Sequence, residues 1–172
     1  MNECMKILLN RRSVKSYKKD AVPQELLEKI TEAGKNAPTG MNRQSPVMVA
    51  ITNPETLRDI SKLNAGILGT DSDPFYGAPC VIVVFADSTV RTYTEDGSLV
   101  MGNLLNAAAS LGLGACWIHR AKEVFETEVG KKLKAKWGLG EEYVGIGNCI
   151  LGYPETVPAP KEHKDDYVIY DK

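Results

Sequence analysis

The sequence predicts an α+β fold in which helices lie on both faces of a central sheet, a three-layer α/β/α arrangement. Amphipathic helical patterns alternate along the chain with short apolar runs. The clearest run, residues 81–85, is continuous and β-branched, which is typical of a strand buried on both faces. The chain has 172 residues without an internal repeat or an interdomain linker. One domain is therefore expected over residues 1–172, ending in an extended arm at 155–172.

The first half of the chain predicts three helices, one loop and one strand. These are helices at 2–10 and 23–36, a loop at 37–46, a strand at 47–52 and a helix that begins after Asn53. Apolar side chains recur at helical spacing in the first two helices, while turn formers and amides fill the loop. Asn53, Pro54 and Glu55 supply a side-chain cap, a first-turn proline and an acidic first turn, which together indicate where the third helix starts.

The second half predicts three strands, two helices and one loop. These are a loop at 66–79, a strand at 81–85, a helix at 98–111, a strand at 115–119, a helix at 124–137 and a strand at 144–151. Residues 98–111 are nearly all apolar or small, and a helix that is apolar all round belongs in the centre of a core.

Composition and charge exclude several classes of protein. The formal net charge is −1, whereas a nucleic-acid binder usually carries a strongly basic face. No apolar run approaches the roughly 20 residues that span a bilayer. The first residues lack the apolar region of a signal peptide, so the cytoplasm is the expected location. Three of the four cysteines lie in apolar runs, which indicates buried free thiols, and neither histidine has ligand-like neighbours, so no metal site is expected.

Two glycine pairs resemble the start of a dinucleotide-binding loop but do not complete it. After Gly112 and Gly114 the third glycine is replaced by Trp117, and after Gly145 and Gly147 it is replaced by Ile150. Walker-type and nucleophile-elbow sequences are also absent from the chain. The glycines are instead expected to form tight turns, or a backbone left open for a flat ligand.

Two polar segments are candidates for ligand binding. Arg11, Arg12, Ser13 and Lys15 follow the first helix, and guanidinium and hydroxyl donors of this kind suit a phosphate group. A solvated basic helix end is an equally good interpretation of that cluster. The loop at 37–46 offers Thr39, Asn42 and Gln44, whose amide and hydroxyl groups suit the edge of a heterocycle, although polar loops are common on protein surfaces.

Taken together, five segments resemble the short, minimal members of the nitroreductase-like flavoprotein family. They are Arg11-Arg12-Ser13 with Lys15 and Tyr17, Ala37 to Gln44, Phe75 to Pro79, Ser110 to Ile118, and Leu151 to Pro154. The resemblance runs from the first helix to the C-terminal arm. It implies a central, mainly antiparallel sheet flanked by helices, in an intertwined homodimer that holds two FMN molecules at the subunit interface.

The resemblance also implies roles for particular residues. The FMN phosphate and ribityl chain would be held by Arg11, Arg12 and Ser13. The loop from the other subunit would contribute Pro38, Thr39, Gly40, Asn42 and Gln44. The flavin ring would lie along the stretch Cys116, Trp117, Ile118 and His119. A basic residue of the arm would reach the phosphate, the candidates being Lys161, His163 and Lys164. Lys15 would supply positive charge beside the reduced flavin.

The chain departs from the family pattern at three places. Lys15 stands where arginine is common, Ser45-Pro46 replaces a proline-tryptophan pair, and the expected C-terminal arginine is absent. The segment between the strand at 81–85 and the helix at 98–111 is short, so substrate-covering insertions are not expected there.

The activity implied by the resemblance is two-electron reduction of nitroaromatic or quinone-type molecules by NADH or NADPH. Donor and acceptor would alternate in a ping-pong mechanism, and no side chain is expected to act as a catalytic acid or base. Three other hypotheses stay open at this stage. They are an FMN-binding sensor or carrier without turnover, a flavin-free anion-binding protein, and the same fold used for dehalogenation or flavin fragmentation.

Overall fold

A four-stranded antiparallel sheet forms the centre of the computed structural model, which describes residues 1–171. The strands are β1 (Pro46–Ile51), β2 (Cys80–Asp87), β3 (Gly114–Ile118) and β4 (Tyr143–Gly152). Their order across the sheet is β1-β2-β4-β3, so that β2 and β4 are the inner strands. Val83 of β2 pairs with Val49 on one side and Asn148 on the other, and β2 is buried along almost its whole length. The predicted buried strand is thereby confirmed.

Six α-helices surround the sheet. They are α1 (Glu3–Asn10), α2 (Gln24–Lys35), α3 (Pro54–Leu68), α4 (Tyr93–Ser110), α5 (Ala121–Glu126) and α6 (Glu128–Lys136). The predicted cap of α3 is present, since Asn53 Oδ1 accepts from the backbone N–H of Thr56 at 2.9 Å. Within residues 1–171, no helix is both long and apolar enough to cross a membrane.

Two hydrophobic cores, one on each face of the sheet, confirm the predicted three-layer α+β fold. On one face Ile30 of α2 and Leu104 of α4 are fully buried against Ile82 of β2. On the other face Phe85 of β2 meets Phe125 of α5 edge to face, with ring centroids 4.7 Å apart. Alternate side chains of one strand therefore enter opposite cores, as the pleat of a sheet requires.

Three predicted helix boundaries differ from the structure. Helix α4 begins at Tyr93 rather than at residue 98, and α3 continues past Gly66 to Leu68. The single helix predicted at 124–137 is two helices, because the extended backbone of Thr127 interrupts it and its hydroxyl accepts from the N–H of Gly130 at 3.1 Å. A single apolar face spans both helices, so helical spacing alone could not locate the break.

The long apolar helix is not buried on all sides in a single chain. One face of α4 carries Met101 and Leu104 into the core, but Leu99 is 47% exposed. Helix α1, which packs on α4, has no buried residue, and Leu8 and Leu9 are 48% and 54% exposed. The two neighbouring helices therefore present an apolar surface that this chain alone does not cover.

Within the described residues, the C-terminal arm has neither helix nor strand from residue 155 onward. It leaves the sheet beside the segment that follows α1, where the N–H of Glu155 donates to the carbonyl of Ser16 at 3.0 Å. From Glu155 to residue 171 every residue is exposed. Apolar side chains at its end, such as Ile169 at 90% exposure, are in water in a single chain.

Candidate functional site

The basic segment after α1 is held against the edge strand β3. Ser13 forms a parallel bridge with Ala115, and the N–H of Val14 donates to the Ala115 carbonyl at 3.1 Å. Tyr17 fixes the other end, because its buried hydroxyl donates to the Val14 carbonyl at 2.7 Å. Desolvation raises the pKa of Tyr17, so this hydroxyl stays protonated as a donor. The cationic side chains are thus presented from a defined backbone and not from a frayed helix end.

The basic segment lies beside Cys116 of β3, because Ser13 is bridged to its neighbour Ala115, and the charges of Arg11 and Lys15 act on the Cys116 thiol. Burial raises the pKa of this thiol, while the Ser13 hydroxyl and the positive charges of Lys15 and Arg11 act in the opposite direction. Four residues predicted as site residues from two distant parts of the sequence therefore lie together. Lys15 also extends over the ring of Tyr76, with Nζ 5.6 Å from the ring centroid.

The two neighbouring arginines differ in what they bind. Arg12 donates to three backbone carbonyls, those of Leu9 at 2.9 Å, Arg11 at 2.8 Å and Ala159 at 3.3 Å. Nη1 of Arg11 is buried and has no hydrogen-bond partner among the described residues. A buried guanidinium donor without an acceptor is costly, and a bound anion would satisfy it. The residues present therefore fit a phosphate group.

A cavity of about 350 Å³ lies beside Arg11 and Arg12, but Ser13, Lys15 and Cys116 do not line it. It is lined by Arg11 and Arg12, by Ala109 at the end of α4, and by the turn that contains Gly112. A larger cavity, about 840 Å³, lies elsewhere, between α3 and the loop at 71–79, and none of the predicted site residues lines it. Since Ser13, Lys15 and Cys116 line neither cavity, the group of donor side chains, and not a cavity, defines the candidate site.

The loop at 37–46 is fixed at the opposite end of α4. The N–H of Gly40 donates to Oδ1 of Asp96, in the first turn of that helix, at 2.8 Å. The side-chain amide of Gln44 donates to Oδ1 of Asn42 at 3.3 Å, so the two predicted amide side chains are neighbours. Both are exposed, as is Pro38, while Thr39 and Gly40 are half-buried.

One chain does not bring its basic cluster and its amide loop together. The cavity at Arg11 touches Ala109, and the loop is bonded to Asp96, thirteen residues earlier in the same helix. At 1.5 Å per residue these two points on α4 are roughly 20 Å apart. This separation agrees with the expectation that each site combines the cluster of one subunit with the loop of another.

The end of β3 is held by buried amides that sequence reasoning missed. The carbonyl of His119 accepts from Asn64 at 2.8 Å and from Asn148 at 3.3 Å, and the carbonyl of Ile118 accepts from Asn148 at 3.2 Å. Both asparagines are fully buried. They fix the turn at which Arg120 adopts a left-handed φ of 70°. Polar residues inside otherwise apolar patterns are the signal that could have found them.

The glycines near the site form turns or close packing contacts. Gly112 has a φ of 77°, which confirms the expected tight turn. The expectation of a backbone open to a flat ligand is wrong at two other glycines. A Cβ on Gly114 would meet Val14 at 2.7 Å, and a Cβ on Gly147 would meet the indole of Trp117. The side chain of Trp117 thus packs in the core.

Two of the three basic candidates of the arm contact neighbouring residues of the arm. Lys164 pairs with Asp166 at 3.4 Å, and His163 stacks edge-on against Tyr167 with centroids 5.9 Å apart. Lys161 is exposed. In the part of the chain that the structure describes, no group of three or more His, Cys, Asp or Glu side chains is placed to hold a metal ion.

A sequence model of the Nitroreductase family matches residues 8–70 and 69–153 of the chain. This chain belongs to the nitroreductase family. Among the family's proteins, an Archaeoglobus fulgidus relative, provisionally named an NADH dehydrogenase/NAD(P)H nitroreductase, is 30% identical over 100% of this chain and 94% of its own length. An FMN reductase [NAD(P)H] of Bacillus subtilis is also 30% identical, over 66% of this chain and 53% of its own.

Solved structures of other nitroreductases have the same fold. A Desulfitobacterium hafniense nitroreductase with bound FMN is 27% identical and superimposes over the whole of both chains with a TM-score of 0.90. A Bacteroides fragilis nitroreductase, 23% identical over the whole of both chains, gives a TM-score of 0.91. The family resemblance and the fold expected from it are thereby confirmed.

Proposed function

We propose that this nitroreductase-family chain is an FMN-dependent oxidoreductase that uses NADH or NADPH to reduce small nitroaromatic or quinone-type molecules. The observation that carries the proposal is the buried, unpartnered Nη1 of Arg11, beside Ser13 and Lys15 at the edge of β3. A phosphate-bearing cofactor supplies the missing acceptor. The FMN found in the Desulfitobacterium hafniense relative is such a cofactor.

The chain's own residues bind and orient the cofactor. Arg11 and Ser13 donate to the phosphate, while Arg12 joins the arm to the end of α1 through its bonds to Ala159 and Leu9. Lys15 provides positive charge, which stabilises a ring system that becomes more negative on reduction. The backbone of residues 116–119 would hold the ring, and Asn64 and Asn148 fix that backbone at its His119 end.

We further propose a homodimer in which each site is shared. The amide loop of one subunit lies too far along α4 from its own basic cluster to complete a site, and a second copy supplies it. The exposed apolar side chains of α1 and α4, together with those of the arm, form the surface that the second copy covers. An obligate interface of this kind buries more than about 2,000 Å².

The chemistry that FMN would supply when bound is hydride acceptance from a reduced nicotinamide and two-electron reduction of the acceptor. The protein needs no acid or base for this, and we assign none. Burial raises the pKa of the Cys116 thiol, so this thiol stays protonated at neutral pH and does not serve as a base. Cys80 and Cys149 are likewise buried free thiols, which suits the reducing cytoplasm.

Steady-state kinetics with both substrates varied should give parallel double-reciprocal lines. The chain has no complete dinucleotide-binding motif that would give the nicotinamide a site of its own. We therefore expect the electron donor and the acceptor to use one site in turn. Menadione or nitrofurazone is a suitable acceptor, with NADH and NADPH compared as donors. Intersecting lines would contradict the shared site. Tight FMN binding with no turnover would instead make the protein an FMN carrier or sensor.

A further inference from the structure

We propose that Asp96 is a positioning residue that holds the amide loop in the conformation needed to contact the flavin of the partner subunit. This inference rests on the proposed function, because it assigns a role in binding FMN. Asp96 lies in the first turn of α4, is buried, and binds Gly40 and Ser45 of the loop through both carboxylate oxygens. It therefore acts through the loop and does not touch the cofactor.

The Asp96 carboxylate accepts three hydrogen bonds, two from the loop and one from Thr92, the residue before α4. Oδ1 accepts from the backbone N–H of Gly40 at 2.8 Å, and Oδ2 accepts from the hydroxyls of Ser45 at 2.8 Å and Thr92 at 3.2 Å. Asp96 is only 2% exposed, and Ser45 is also buried. A buried carboxylate whose two oxygens bind both ends of one loop restrains that loop strongly. Gly40 also lacks space for a side chain, since a Cβ there would meet Thr92.

The loop between these two bonds is conformationally strained. Met41, Asn42 and Gln44 have positive φ values of 53°, 54° and 50°. Asparagine tolerates this region, but for methionine and glutamine it is unfavourable and persists only when surrounding contacts impose it. Further bonds inside the loop, such as Gln44 N–H to Thr39 Oγ1 at 3.1 Å, keep it closed. Asp96 is the group outside the loop that binds both Gly40 and Ser45.

The restrained conformation places two amide side chains side by side at the surface. Gln44 donates to Asn42, and within residues 1–171 the Asn42 amide nitrogen and the Gln44 amide oxygen have no further hydrogen-bond partner. One donor and one acceptor are thus presented together, which matches the alternating donor and acceptor groups at the pyrimidine edge of an isoalloxazine ring. Preorganising this pair before the flavin arrives lowers the entropy cost of binding.

A purely structural role for Asp96 makes a different prediction. An acidic residue in the first turn stabilises a helix through its macrodipole, whatever it contacts. Glu95 occupies the same turn but is exposed. Glu95→Ala is therefore the matched control for the loss of a first-turn charge. Asp96→Asn keeps an acceptor at Oδ1 and tests whether that acceptor, without the negative charge, is sufficient to hold the loop.

Hydrogen exchange in the apo protein tests the restraint directly. We expect Asp96→Ala to raise the exchange rate of the Gly40 amide at least tenfold, with little change in the cores of the sheet. Asp96→Asn should restore most of the protection, and Glu95→Ala should leave it unchanged. If Asp96→Ala does not fold, Ser45→Ala removes one of the bonds alone and should produce a smaller increase. Unchanged exchange at Gly40 in Ser45→Ala and Asp96→Ala would overturn the proposal.

Flavin titration tests the consequence for binding. Because the loop contacts the ring, Asp96→Ala should weaken FMN and riboflavin by a similar factor, roughly 10- to 100-fold. The loss of flavin affinity in the double variant Asp96→Ala/Gln44→Ala should be smaller than the sum of the two single losses in binding free energy, because both residues act through one loop. Additive effects, or affinities within twofold of the parent for both flavins, would contradict the inference. Failure of the parent protein to bind FMN would instead defeat the proposed function, while the exchange data would still report on the restraint.

Discussion

Placing an aspartate at Leu8 is expected to dissociate the proposed homodimer and abolish FMN binding in the same step. Leu8 is 48% exposed on α1, a helix of eight residues that buries none of its side chains in its own chain. A helix this short is not stable by itself in water, so its apolar side needs a second surface. An aspartate there would bury a charge at the interface, and separated subunits would each keep only part of the site.

Sedimentation velocity and FMN titration at low micromolar concentration measure both effects. Ile67→Asp is a matched control, since Ile67 is 41% exposed on α3, on the opposite face of the sheet from α4. The control should stay a dimer of twice 18.8 kDa and bind FMN as the parent does. A Leu8→Asp monomer that binds FMN with the parent affinity would show that one subunit holds a complete site, contrary to our proposal.

Replacing Arg11 by alanine should weaken FMN binding by about 1.5–3 kcal/mol, the usual value of a hydrogen bond to a charged group. The same change at Arg12 should have a smaller effect, because that guanidinium already binds three carbonyls. Riboflavin, which has no phosphate, should bind the parent and Arg11→Ala almost equally. Lys131→Ala removes one exposed positive charge on α6 and serves as the control for net charge.

Fluorescence titration of the apo proteins distinguishes the outcomes. Affinities for FMN within twofold of the parent in Arg11→Ala would exclude Arg11 as the phosphate donor. An equal loss for FMN and riboflavin would show that Arg11 supports the fold of the site without binding the phosphate.

The local pattern of the sequence was sufficient for most of the architecture. The β-branched run at 81–85 predicted the central strand β2, and the Asn53-Pro54 pair predicted the start of α3. Both signals are local, because burial on two faces requires a continuous apolar run and helix capping requires a particular residue at the helix start. The basic cluster was likewise found from adjacent residues, although the difference between Arg11 and Arg12 depends on contacts with the distant arm.

Other features depend on contacts that are distant in the sequence. The helix containing Asp96 was predicted to begin at residue 98, so this carboxylate lay outside it and its bonds to a loop more than fifty residues away were not foreseen. Helix α4 was placed at the centre of a core because its composition is apolar, yet Leu99 is exposed in a single chain. Composition shows that a surface will be buried, but it does not show whether the covering surface belongs to the same chain.

Anaerobic addition of NADH or NADPH to the FMN-reconstituted protein tests the central claim most directly. We expect one equivalent of at least one nicotinamide to remove the visible absorption of oxidised flavin, and a quinone added afterwards to restore it. A protein that binds FMN but whose spectrum is unchanged by either nicotinamide would contradict the assignment of this chain as an NAD(P)H-dependent flavin oxidoreductase.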